Sequence, residues 1–182
     1  MKDILFKLII AGFGGQGILF AGRLIAQAAM LEGRHVTWFP SYGAEIRGGT
    51  ANCTVIISDE MIGSPATRSP DSLIIMNQAS MKRFEPYLEP NGLLIMNTSL
   101  IKSSPARSDI EIVKIKATDI AEELGSSQIA NMIMLGALIS RKRIINPDTV
   151  SNALNEMVPE HRKKIIPLNE NAFKKGLKSI AD

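Results

Sequence analysis

Apolar residues gather along this chain in six short runs: Leu8–Ile10, Val36–Phe39, Thr54–Ile57, Leu73–Met76, Leu93–Met96 and Glu111–Ile115. Most are continuous rather than alternating, as strands read when both of their faces are covered. The pattern predicts a parallel or mixed sheet lying between helices.

Helical spacing separates several of the runs. The clearest predicted helix extends from Gln16 to Glu32 and stops at Gly33, a residue suited to the left-handed position after a helix end. Its small residues Ala21, Gly22 and Ala26 permit close approach to the sheet. A second helix is expected after Asn77, fading before Pro86, and Pro90-Asn91-Gly92 reads as a turn into the fifth strand. Thr118 or Asp119 is expected to cap a short helix ended by Gly125, and Ser126 or Ser127 a longer one reaching Lys142. Arg141, Lys142 and Arg143 complement the dipole at its C-terminal end. Beyond Asn146, Pro147 and Asp148 suit a first helical turn, and Leu168, Ala172, Phe173, Leu177 and Ile180 share one face of a closing helix.

These elements add up to a doubly wound α/β fold, a Rossmann-like three-layer sandwich with a mainly parallel sheet and C-terminal helices. A length of 182 residues suits one domain with a proper core, so residues 1–182 are taken as a single domain with 146–182 as a C-terminal helical extension.

One stretch departs from that pattern. Between the second and third runs a doubly wound chain needs a crossover helix, yet Pro40 to Asn52, "PSYGAEIRGGTAN", has three glycines and little apolar periodicity. Such a segment either presents residues to a ligand or partner, or is a plain surface loop whose Glu45 and Arg47 are solvated. Gly48-Gly49 permits close approach of another backbone.

The turn after the first run, "GFGGQG" at 12–17, satisfies GxGxxG in a strand–turn–helix context, where backbone N–H groups can meet an anion. A dinucleotide site also needs an acid at the end of the second strand, about 20 residues on, to hold the ribose hydroxyls. That strand ends in Trp38-Phe39-Pro40-Ser41, without Asp or Glu, and no Gly-Lys-Ser/Thr follows the turn as a P-loop requires. The glycines either turn the chain tightly or admit a phosphate or a partner's backbone.

Composition narrows the chemistry further. The net charge of +3 is mild and aromatics make up 5%, against the dense basic stripe with interleaved aromatics of a nucleic-acid binder. No apolar run approaches the roughly 18 to 20 residues that span a bilayer, and no separate leader precedes the first strand, so a cytoplasmic protein is expected. The single cysteine, Cys53, cannot form an internal disulfide or by itself supply the roughly four ligands of a structural zinc or iron–sulfur cluster. It reads as a small buried strand residue, and His35 and His161 stand at neither ligand nor triad spacing. No catalytic or metal-ligating residue is assigned.

The residues do carry a family resemblance. "IAGFGGQGILFAGRLIAQAAMLEG", "WFPSYGAEIRGGTANCTVIISDEMIGSP", "PDSLIIMNQASMKRFEPYLEPNGLLIMNTSLI" and "ATDIAEELGSSQIANMIMLGALI" resemble, in this order, the gamma subunit of 2-oxoacid:ferredoxin oxidoreductases. The paired motifs GxGGQG and YGxExRGG make the likeness specific. It implies a complex that oxidatively decarboxylates a 2-oxo acid, transfers the acyl group to coenzyme A and reduces ferredoxin. Thiamine diphosphate with magnesium and the [4Fe-4S] clusters would belong to alpha, beta and ferredoxin-like delta subunits, and this chain would bind no cofactor alone. The form Tyr42-Gly43-Ala44-Glu45-Ile46-Arg47-Gly48-Gly49 is similar to the 2-oxoglutarate and branched-chain types, with 2-oxoglutarate preferred. The resemblance further implies that Gly14, Gly15, Gln16, Gly17, Ser41, Tyr42, Glu45, Arg47 and Asn131 form the surface that meets the thiamine-binding subunits and borders the coenzyme A site.

Overall fold

The structure, a computed structural model, describes residues 4–42 and 50–179. All six apolar runs are strands: β1 (Leu5–Phe13), β2 (His35–Tyr42), β3 (Thr50–Ser58), β4 (Ser72–Ile75), β5 (Leu93–Asn97) and β6 (Glu111–Ile115). They form one sheet in the order β2-β3-β1-β4-β5-β6. β3 pairs antiparallel with both β1 and β2, whereas β1, β4, β5 and β6 are parallel neighbours. That antiparallel pairing accounts for the missing crossover helix, because β2 and β3 are adjacent and need no return across the sheet. Pro40 is tolerated because β2 is an edge strand.

Helix α1 (Ile18–Leu31) follows β1 and ends as the glycine pattern predicts: Gly33 has φ 78° and the Arg34 N–H closes on the Ala29 carbonyl at 3.1 Å. Its close approach to the sheet is real, since a β-carbon at Gly22 would stand 2.4 Å from Cys53 Sγ. α2 (Gln78–Phe84) is capped by Asn77, whose Oδ1 accepts from the Ser80 N–H at 2.8 Å. A 3₁₀ turn over Glu85–Tyr87 continues it.

α3 (Ala117–Glu123) begins earlier than expected, with Lys116 in the cap position. Thr118 lies inside the helix, and its Oγ1 accepts from Asn97 Nδ2 at 2.8 Å, tying α3 to the end of β5. Ser126 does cap, but it caps a 3₁₀ turn (Ser127–Ile129) that leads into α4 (Ala130–Lys142). At the far end Arg141 pairs with Glu111 of β6, so it holds a helix to a strand as well as complementing a dipole. α5 (Pro147–Met157) starts with Asn146 Oδ1 accepting from the Asp148 N–H at 2.9 Å, and α6 (Ile166–Lys178) closes the chain. Of its expected apolar face, Ile180 lies outside the described residues.

The sheet is covered unequally. α1, α3, α4, α5 and α6 share one large core with the alternate strand residues Leu8, Ile10, Val55, Ile74 and Ile95. On the other face α2 packs a smaller core of Ile9, Leu73, Ile75, Leu94 and Met96. This is the expected three-layer α/β sandwich. α4 is buried at every position from Ala130 to Ile139, lying between the sheet and α6. Each large apolar side chain buried there contributes about 1.5–3 kcal/mol.

Candidate functional site

β1 and β4 are adjacent and parallel, yet the helices that follow them leave to opposite faces of the sheet. The crevice between their carboxyl ends is therefore a topological switch point, the place where open α/β sheets receive ligands. GFGGQG forms one lip of it. Gln16 spans the crevice with its own side chain: Oε1 accepts from the Phe13 N–H at 2.7 Å, and Nε2 donates to the Met76 carbonyl at 3.5 Å. Gly12 makes room for this, since a β-carbon there would meet Gln16 Oε1 at 2.5 Å and Met76 Cβ at 2.9 Å. An amide that could grip a phosphate in a dinucleotide fold is thus satisfied from within the chain, alongside the missing ribose acid.

The remaining glycines have separate tasks. Gly15 is exposed with φ 94°, and Gly17 caps α1 with φ 69°, a left-handed conformation that favours glycine. Gly17 also faces Asn131 at the start of α4, whose Nδ2 donates to the Gly17 carbonyl at 2.9 Å while its Oδ1 accepts from the Met132 N–H at 2.9 Å. Only 4% exposed, Asn131 pins the head of α4 to the glycine turn.

Gly15, Gly17 and Asn131 line one groove of about 550 Å³. The first turns of α1, the 3₁₀ turn before α4, the end of α5 and the head of α6 enclose it. Phe20, Met157, Ile165 and Leu168 supply an apolar wall, Arg23 and Arg162 two guanidinium groups. The hydrophobic and polar pattern of the sequence assigns neither arginine a role. The one available signal was the cluster "HRKK" at 161–164.

Ser41 and Tyr42 end β2 at the same end of the sheet. Tyr42 is in register with Ala51, which is in turn in register with Gly12. Thr50, where β3 resumes, is in register with Phe13. Glu45 and Arg47 lie outside the described residues, and the segment that carries them is flanked by Tyr42 and Thr50 at this same end. Gly14 is exposed on the turn itself.

Cys53 points into the core beneath α1, beside Gly22 and Trp38. Burial pushes its thiol up to about 12, outweighing the smaller opposing influence of the neighbouring Trp38 and Ile10 backbone. The folded protein should therefore resist alkylation at pH 8 until it unfolds, whereas rapid native-state labelling would contradict the burial. The thiol stays neutral in the fold and ionises more readily in the unfolded chain. Its contribution to stability is thus complete below the ordinary thiol range and is lost as pH rises toward about 12.

Comparison with known proteins identifies relatives of this chain. A family model described as pyruvate ferredoxin/flavodoxin oxidoreductase matches residues 7–179. The 2-oxoglutarate synthase subunit KorC of Methanothermobacter thermautotrophicus is 32% identical over 189 residues, covering 100% of this chain and 98% of its own. The ketoisovalerate oxidoreductase subunit VorA of Methanothermobacter marburgensis is 43% identical over 134 residues, 74% of this chain, and the match spans 28% of VorA's length. Among solved structures, the keto/oxoacid ferredoxin oxidoreductase gamma subunit from Geobacter sulfurreducens has a TM-score of 0.83 and 27% identity, over 97% of this chain and 98% of that one.

Proposed function

The chain belongs to the pyruvate ferredoxin/flavodoxin oxidoreductase family, and from that premise we propose that it is the gamma subunit of a cytoplasmic, thiamine-diphosphate-dependent 2-oxoacid:ferredoxin oxidoreductase. The complex oxidatively decarboxylates a 2-oxo acid, forms the acyl-coenzyme A and reduces ferredoxin. This chain is one domain over residues 1–182, with 146–182 as its helical extension. Its part is to assemble with the alpha, beta and ferredoxin-like delta subunits and to border the coenzyme A site.

One observation carries this reading: Gly15, Gly17 and Asn131 meet at a single groove at the same sheet end from which the YGAEIRGG motif departs and to which it returns. On this reading the site meets something outside the chain, and among the described residues its lining carries no thiol, imidazole or carboxylate for redox or acyl chemistry. A [4Fe-4S] cluster takes about four thiolates, and the lone Cys53 is buried and protonated. On the family reading, the clusters, thiamine diphosphate and magnesium are held by the other subunits.

2-Oxoglutarate is the preferred oxo acid, because the KorC relative that matches end to end is a 2-oxoglutarate synthase subunit. The higher identity of the ketoisovalerate-type VorA stretch favours a branched-chain oxo acid as the second reading. Affinity purification of the tagged chain from its host without oxygen tests the proposal. Larger subunits carrying iron, thiamine diphosphate and 2-oxo-acid-dependent dye reduction are expected, and the faster oxo acid names the enzyme. A chain that arrives alone, and whose melting temperature rises with NAD, would instead be a free-standing nucleotide-binding module.

Arg47→Ala is expected to leave the isolated chain folded while weakening assembly or raising the coenzyme A requirement about tenfold, the loss of a charge-assisted contact. Unchanged assembly together with unchanged kinetics would remove Arg47 from the surface.

A further inference from the structure

Resting on the reading that this face borders the coenzyme A site, we infer that Arg23 and Arg162 form the groove's anion grip, holding the phosphate end of the acyl acceptor while the apolar wall receives its arm. Arg23 is presented by α1 and Arg162 by the connection between α5 and α6, so the two cations approach one hollow from different elements. No Asp or Glu lines that hollow among the described residues. Neither arginine pairs with a carboxylate among the described residues, in contrast to Lys7, Arg34, Arg107, Arg141 and Lys163.

Arg23 is also oriented. Its guanidinium carbon stands 5.9 Å from the centroid of the Trp38 ring, and a guanidinium over an aromatic face keeps its in-plane N–H fork free for oxygen ligands. Two guanidinium groups facing one cavity repel each other, and an anion between them turns that repulsion into two charge-assisted contacts. The head of α1 at Gly17 and that of α4 beyond Ser126 border the same cavity, so both helix dipoles add to the positive potential. Phe20, Met157, Ile165 and Leu168 provide an uncharged track beside this end, which suits a long thin arm attached to a phosphorylated head.

The purified complex provides the test, because both arginines are exposed and their replacement leaves the core untouched. Arg162→Glu and Arg23→Gln are each expected to raise the KM for coenzyme A about tenfold or more, with the KM for the oxo acid unmoved. Arg162→Lys should recover part of the loss, since charge is kept while the bidentate fork is not. If charge reversal at Arg162 prevents assembly, Arg162→Gln supplies the same reading. A coenzyme A KM unmoved by these changes but raised by Arg47→Ala overturns the inference and leaves the site reading standing. Indifference of the coenzyme A KM to all of them overturns both.

Discussion

Gly176→Leu is expected to lower the melting temperature of this chain by on the order of 10 °C. α4 and α6 touch through their backbones: a β-carbon at Gly176 would lie 2.0 Å from the Ile133 carbonyl oxygen, and one at Gly136 would lie 2.2 Å from that of Phe173. Backbone atoms cannot swing aside as a side-chain end can. The helices must part, and α4 carries the centre of the large core. Overpacking of this kind costs about 3 kcal/mol or more, and in a chain of this size each kcal/mol lowers the midpoint by about 2–4 °C. Because Leu168 and Asn169 of α6 line the groove, the same change should deform it. Thermal melts of Gly176→Leu against Gly63→Ala, where a β-carbon meets nothing, provide the measurement. Equal midpoints would mean that the helices do not meet at their glycines.

Gly17→Ala is the second large effect, and it should exceed Gly15→Ala although both residues have positive φ. The left-handed conformation costs a non-glycine residue about 1–2 kcal/mol at either place. At Gly15 that is all, since nothing lies within 4 Å of a new β-carbon. At Gly17 the β-carbon would stand 2.3 Å from Asn131 Nδ2, displacing the buried amide from the Gly17 carbonyl and leaving it without that partner, a further loss of about 1–3 kcal/mol. The expected drops are about 3 °C for Gly15→Ala and about 5–10 °C for Gly17→Ala. Combined with Asn131→Ala, the Gly17 change should be less than additive, as expected of residues in contact. Additive losses in that cycle would show that the clash is not with Asn131.

The same contacts shape the groove. Gly17 and Asn131 fix the angle between the glycine turn and α4, and that angle sets one wall of the groove. Gly12 and Gln16 close the crevice that a dinucleotide would enter. GFGGQG thus has the spacing of a nucleotide grip but a different geometry: one amide is self-satisfied, and the open space lies on the far side, toward α6.

Much of this is legible in the chain itself. Six apolar runs become six strands, and those of β1, β3, β4 and β5 are buried on both faces, an environment whose continuous apolar signature is a local pattern. Gly33, Asn77 and Asn146 mark helix ends because capping depends on residues within a turn of each other. Thr118 and Ser126 depart from that rule: a distant partner, Asn97, engages the first, and a 3₁₀ turn comes between the second and α4. The motifs GxGGQG and YGxExRGG point to the family because their spacing is linear. Tertiary structure alone decided the antiparallel seat of β3, the filling of the crevice by Gln16, the pinning of Asn131 to Gly17 from far along the chain, and the meeting of Arg23 with Arg162 at one groove. Those depend on which elements become neighbours, and pairing between segments far apart in the chain is set by the summed packing of the whole core rather than by any stretch that could be read alone.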